Sequence, residues 1–286
     1  MLVKDYVDQI VQSRPYKYAT KQTLIRDIKK LGIWEMTLED VTSSHIRNIV
    51  DSQTNHNSRR RLYITARSIF KDINKCQDLP VLESISRIYQ FPPQDQLEAL
   101  INKSKYRLQL LLCMYGGLRI GEACAVTPDK LQGNYLTVDA AFSQDGLHLG
   151  SPKTFGRVLL PEWLADEVRN MTPEQFWKIG MTTKKVSNSI YKISRFKGAK
   201  EMTGGLGVNP HMLRHWYATD MIKRGVNPEV VRRQMRHKKI ETTMKVYAQV
   251  NSKDLEESLP ERFTKRIIQT EDSHNVIQLS FGASRL

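Results

Sequence analysis

The chain has 286 residues, 40% of them hydrophobic and 26% charged, with 44 Lys and Arg against 30 Asp and Glu for a formal charge of +14. This is a folding composition with enough apolar mass for one large domain or two, which excludes wholesale disorder. No run reaches the ~18 consecutive apolar residues of a spanning helix, and the opening MLVKDYVDQI lacks the apolar stretch and small-residue cleavage site of a secretory leader. The expectation is therefore a protein of the cytoplasm with no membrane partner. Cys76, Cys113 and Cys124 are an odd set without metal-ligand spacing and read as reduced, buried thiols.

The basic excess is spread along the chain. Residues 1–90 carry 15 Lys and Arg against 10 Asp and Glu, and residues 91–286 carry 29 against 20. A polyanion touched by two regions produces this pattern, and a basic tail on a neutral enzyme does not; nucleic acid is the first partner to test and an anionic membrane surface the second.

In chain order, helices are expected over Leu2–Val11, over Thr20–Leu31 with a stop at Gly32, and from a capping box of Thr37 with Asp40 through Val50. A fourth runs from about Ser58 to Lys75, with Leu62, Ile64, Ala66, Ile69, Phe70 and Ile73 inward and Arg59, Arg60, Arg61, Arg67 and Lys71 outward. That basic face is either simply solvated or the side that meets DNA. Residues 1–77 thus form a small helical domain. Residues 78–92 lose periodicity and run into the Pro92-Pro93 pair, and they read as an interdomain linker.

The second domain, 93–251, opens with helices over Gln94–Lys103 and Tyr106–Tyr115, breaks at Gly116-Gly117, and resumes over Arg119–Ala125. Extended segments at Tyr135–Ala140, Gly146–Leu149 and Arg157–Leu160, with a polar turn from Gly150 to Gly156, form a small antiparallel sheet. Helices follow over Glu162–Asn170, Lys184–Phe196, Pro210–Lys223, Pro228–Met235 and Thr242–Gln249, two of them opening on Asn-Pro as N-cap and first helical residue. The fold class is mainly α with one small sheet. Residues 252–286 form a polar tail broken by the apolar stretch VIQLSF, Val276 to Phe281, which needs a cover from another subunit or its own domain.

The chemistry concentrates late in the chain. His211 and Arg214 are an i, i+3 pair on one helix face, and Arg236, His237 and Tyr247 follow. An Arg fork matches phosphate oxygens and a nearby imidazole donates or relays a proton near neutral pH; a helix-capping His beside a surface ion pair is the plainer alternative. No carboxylates accompany the cluster, which disfavours a metal-dependent nuclease.

These residues fall into motifs that resemble the tyrosine recombinases of the phage integrase family. GGLRIGEA, Gly116 to Ala123, is similar to the box around the first catalytic arginine, and His211-Met-Leu-Arg214-His215 matches the His-x-x-Arg box. Met235-Arg236-His237, then Thr242-Thr243 and Tyr247, resembles the last histidine and the nucleophilic tyrosine, and Ser151-Pro-Lys153-Thr154 lies on the hairpin turn that carries the family's lysine. The family usually has Gly where Arg236 stands, and the arginine is expected either to change the loop geometry or to add a phosphate contact. The likeness spans most of residues 1–250 and implies a two-domain DNA clamp without metal or cofactor.

It further implies a reaction in which Tyr247 attacks a phosphodiester and forms a 3′-phosphotyrosine. Arg119 and Arg214 clamp the developing charge, His211 and His237 hydrogen-bond the oxygens or relay the phenolic proton, and Lys153, with Arg157 as the alternative, protonates the departing 5′ oxygen. Glu122 is a candidate to orient Arg119 or His211, or else a surface helical Glu. The implied partners are double-stranded DNA at specific attachment sites, three further copies in a tetramer, and an accessory directionality factor, in a bacterial host's cytoplasm at the nucleoid. With helices starting near residue 1 there is no space for an arm-binding domain, as in a phage or mobile-element integrase that uses simple sites. A type IB-like topoisomerase and a non-catalytic DNA-binding regulator of the same fold are the alternatives.

Overall fold

The computed structural model describes residues 1–16, 18–85, 91–143, 148–172, 183–195, 207–241, 243 and 244. The chain divides into two compact units, Met1–Arg87 and Ile88–Leu286. Among the described residues no helix is long and apolar enough to cross a membrane.

The first unit packs α1 (Val3–Ser13), α2 (Tyr18–Lys30), α3 (Ser43–Asp51) and α4 (His56–Ile69) around one core. Val3, Tyr6, Val7, Ile10 and Val11 recur at three- and four-residue steps on α1 and are all buried, as a one-faced helix requires. Helix α3 starts later than the sequence suggests. Thr37 spends its hydroxyl on the Asp40 carboxylate, 2.7 Å away, and it is Thr42, in extended conformation, that caps the helix by accepting from the His45 backbone N–H. Helix α4 begins two residues early, capped by Asn55, and stops at Phe70; a 3₁₀ turn, Lys71–Ile73, follows, so Lys71 lies beyond the helix. Ile64 is exposed, and its expected inward place is taken by Tyr63 and Thr65, whose hydroxyls reach Asp51 and Asp27.

The expected linker begins as part of this unit. Leu79 is buried in its core, Arg60 donates to the Leu82 carbonyl, and Asn57 exchanges two hydrogen bonds with the Ile85 backbone. An aperiodic stretch thus reads as loose in sequence while backbone groups on it are held by α4.

In the second unit α5 (Gln94–Asn102) leads into α6 (Arg107–Tyr115), whose residues from Leu108 to Met114 are all buried. After α7 (Ile120–Ala123) come β1 (Leu131–Gln132), β2 (Tyr135–Val138), β3 (Ala141–Phe142), β4 (Leu149–Gly150) and β5 (Gly156–Leu159). Two antiparallel sheets result where one was expected: β1-β2-β5, with Thr137 opposite Arg157, and β3-β4, with Phe142 opposite Leu149. β1 and β3 are two residues long, too short to show alternation, and residues 144–147 of the expected middle segment lie outside the described residues. Helices α8 (Glu162–Arg169), α9 (Thr183–Ser194), α10 (Pro210–Lys223) and α11 (Pro228–Met235) complete the described unit. Leu110, Leu112, Leu136, Val158, Leu164 and Ile190 lie in its main core, and Cys113 and Cys124 are free thiols within it, their pKa values pushed up by burial.

Candidate active site

Three chain breaks bring the polar residues together. The first is Gly117, which has φ +62 and lies so close to the later helices that a Cβ there would meet Met235 Sδ and Tyr217 Cδ1 at 2.8 Å. Only glycine accepts both the left-handed backbone and that approach. The turn delivers Arg119 to the extended position just before α7. There Glu122, buried and three residues on, accepts from the Arg119 backbone N–H at 2.9 Å through Oε2 and from Arg119 Nη1 at 2.9 Å through Oε1. Arg119 Nη1 also donates to Thr154 Oγ1 at 3.1 Å, which ties the arginine to the turn between β4 and β5.

The second break is Asn209-Pro210. Asn209 caps α10 by accepting from the Met212 backbone N–H at 3.0 Å, and Pro210 fills the first helical position, where no N–H is needed. His211 then lies in the first turn, with Arg214 one turn deeper and buried. Arg214 donates through Nη1 to the Gly117 carbonyl and through Nη2 to the Met235 carbonyl, so one guanidinium joins the turn before α7 to the end of α11. Its pKa is lowered to about 9, first by burial and then by repulsion from Arg119, and it remains cationic at neutral pH. The Nε2 atoms of His211 and His215 are 3.0 Å apart with the rings edge to face, an arrangement in which one ring donates and the other accepts. Desolvation and the cations Arg214, Arg119 and Lys153 lower the pKa of exposed His211; desolvation and His211 lower that of His215 to about 4.

The third break ends α11. Arg236 takes the left-handed conformation, φ 51, and the chain turns to His237, whose Nδ1 is 2.9 Å from the buried Thr243 hydroxyl. Burial, Arg214 and Arg119 push the His237 pKa down to about 4. Arg232 accepts from the His237 N–H through its carbonyl and donates to the His237 carbonyl through its side chain, fixing the turn. A buried carboxylate holding one arginine, a second arginine held by two carbonyls, and neutral imidazoles beside them form a cationic site with hydrogen-bond donors and no net need of a metal to attract an anion.

Residues 85–254 match the family model described as the phage integrase family. The chain belongs to the phage integrase family. Its relatives include tyrosine recombinase XerA of Pyrococcus furiosus, 29% identical over 177 residues that make up 57% of each chain, and a tyrosine recombinase of Pseudothermotoga lettingae, 25% identical over 85% of this chain and 91% of that protein. The chain thus spans little more than half of XerA in that match and nearly all of the Pseudothermotoga protein. Among solved structures, the Tn1549 transposon integrase in complex with transposon right end DNA superposes with a TM-score of 0.69 at 15% identity, covering 91% of this chain and 100% of that one. A λ integrase tetramer bound to a Holliday junction gives 0.62 at 16% identity, over 84% and 78%. At such identities these likenesses show the fold.

Within this family member, Arg119, His211, Arg214 and His237 of the expected set are linked by shared partners or mutual electrostatic influence. Lys153 is exposed on the hairpin turn and its charge reaches His211, whereas Arg157 lies over the Tyr135 ring and donates to Gln132. Tyr247 falls outside the described residues, as does the tail carrying Val276 to Phe281. The basic residues of α4 are partly engaged inside their own unit: Arg59 pairs with Asp51, Arg60 with a carbonyl and Arg61 with buried Asp27. Sequence reading assigns no role to Thr154, Thr243 or His215, and reads Arg236 in place of glycine as a change of loop geometry or an added phosphate contact; its guanidinium instead turns inward onto Glu122. Thr154 and His215 adjoin motif residues, which was the available signal.

Proposed function

We propose that this chain is a site-specific DNA recombinase that cleaves and rejoins duplex DNA through a 3′-phosphotyrosine on Tyr247. The observation that carries the reading is the convergence of Arg119, Arg214, His211 and His237 from three separate turns of the chain, two of the four being cations held by buried partners. In this scheme Tyr247 attacks the phosphorus, the P–O5′ bond breaks as the P–O(Tyr) bond forms, and the phosphodiester energy is conserved for rejoining. Arg119 and Arg214 stabilise the negative charge that grows on the non-bridging oxygens. The depressed pKa values of His211 and His237 keep the imidazoles neutral near pH 7, so that they hydrogen-bond the phosphate or pass on the phenolic proton. Lys153, on the turn between β4 and β5, gives its proton to the departing 5′ oxygen.

The substrate is double-stranded DNA at defined attachment sites. The working assembly is a tetramer of this chain, with an accessory protein setting direction, in the cytoplasm of a bacterial host. Both units take part in DNA binding, the first through the basic residues of α4 and Lys71. The test is a duplex nicked near the crossover point: the wild-type protein should become covalently attached and survive denaturant, and Tyr247→Phe should bind the DNA within a few-fold yet form no adduct. Adducts in that variant would assign the attack to another residue, with Tyr217 the first to examine.

A further inference from the structure

One buried cation beside the site has no part in that scheme. Arg236 ends α11 with φ 51, a conformation that suits glycine, yet its side chain is only 3% exposed. The side chain runs inward past Gly156, where the missing Cβ makes the space: a Cβ there would sit 3.0 Å from Arg236 Cδ. At its end Nη2 donates to Glu122 Oε2, the oxygen that also accepts the Arg119 backbone N–H, while Oε1 of the same carboxylate holds Arg119 Nη1. Among the described residues, the buried Nε and Nη1 of Arg236 have no hydrogen-bond partner. A left-handed non-glycine residue and a half-satisfied buried guanidinium both disfavour the folded state, so an arginine here is expensive unless it does something.

Its contacts say what that is. Arg119 and Glu122 alone form an ion pair with no net charge, and a carboxylate that orients an arginine also neutralises it. A second guanidinium on the same carboxylate restores the excess. We propose that Arg236 is a positioning residue acting through Glu122: it neutralises the carboxylate that aligns Arg119, so that Arg119 meets the scissile phosphate as a full cation. The inference rests on the recombinase reading above and concerns a position where this chain departs from its family.

The experiment uses the full chain and the nicked duplex, made with either a phosphate or an uncharged methylphosphonate at the scissile position. Adduct formation rate, binding to an uncleavable duplex and melting temperature are followed for wild type, R236G and E122Q/R236G. R236G, with glycine in a backbone conformation that suits it, should bind DNA within a few-fold of wild type and cleave the phosphate about 10- to 100-fold more slowly, below the effect of removing a direct charge-stabilising donor. On methylphosphonate, where one negative charge is gone, that deficit should shrink to about three-fold or less. E122Q/R236G should cleave phosphate faster than R236G, because the amide leaves no charge to neutralise. A purely structural arginine would give the same deficit on both substrates and no rescue, which would overturn the proposal, as would wild-type rates in R236G. Should R236G not fold, R236K and R236Q pose the same question, and equal rates for the two would overturn it. Absence of any adduct from the wild-type chain would instead remove the recombinase reading, and this inference with it.

Discussion

Arg214 and Arg119 are both cations of the site, but their surroundings make them respond differently to truncation. Arg214 is buried and holds the carbonyls of Gly117 and Met235, so Arg214→Ala strands two buried acceptors at about 1–3 kcal/mol each as well as removing a cation. The side chain of Arg119 is 31% exposed, and its main partner Glu122 keeps Arg236 when it is lost. Both alanine variants should lose at least about 10²-fold in single-turnover cleavage. Only Arg214→Ala should also show a clear drop in melting temperature; equal melting of the two would mean that the Arg214 contacts contribute nothing net to stability. The histidines give a pH signature. His215 and His237 titrate near 4 in the folded chain against an ordinary 6.5, so the unfolded chain binds more protons between those values. Stability should be full above about pH 6.5 and decline as the pH falls towards 4, and replacing either histidine by Gln should flatten the decline seen in melting temperature. A decline unchanged in both variants would place the responsible groups elsewhere.

At the scale of elements, Gly117 is the joint on which the site turns, since its carbonyl anchors Arg214 and its absent Cβ admits Met235 and Tyr217. Gly117→Ala should destabilise the chain by about 1–3 kcal/mol from strain at φ +62 and from the 2.8 Å contacts, with cleavage lost out of proportion to DNA binding, as denaturant melts and adduct assays will show. The glycine pair was legible in sequence as an interruption, and so were the helices that bury one face, because a 3.6-residue period is a local signal. The Asn-Pro starts of α10 and α11 were equally plain, since capping is decided within three residues. What sequence could not show is set by distant partners. Thr37 looked like a cap until Asp40 took its hydroxyl, two-residue strands carry no alternation, and Ile64 yields the interior to Tyr63 and Thr65 because Asp51 and Asp27 offer hydroxyl partners. The candidate catalytic residues came from motif order and spacing and not from periodicity. The ion pair of Arg236 with Glu122 spans 114 positions, so a residue that departs from its family gave no hint in sequence of what it touches.

At the scale of the whole molecule, a positive excess on both sides of residue 90 predicts that the proposed affinity for DNA is a sum over many phosphate contacts. If the chain neutralises six or more phosphates, binding should weaken by at least about 10³ between 50 and 200 mM salt; a shallow slope would confine the contact to a few charges. Assembly follows from counting bonds. In the proposed reaction, exchange of strands between two duplexes takes four cleavages, and a chain whose nucleophile is Tyr247 would supply one, so four copies would act together on paired sites. Such an assembly needs contacts that single-site binding does not. In the sequence beyond the catalytic region, Val276, Ile277, Leu279 and Phe281 form an apolar stretch in an otherwise polar segment, suited to cover by a neighbouring copy. Deleting residues 270–286 should therefore leave binding to one site within a few-fold while synapsis, read as a four-chain complex on paired duplexes, and recombination both fall sharply. A truncated chain that assembles and recombines normally would assign the subunit contacts to another surface.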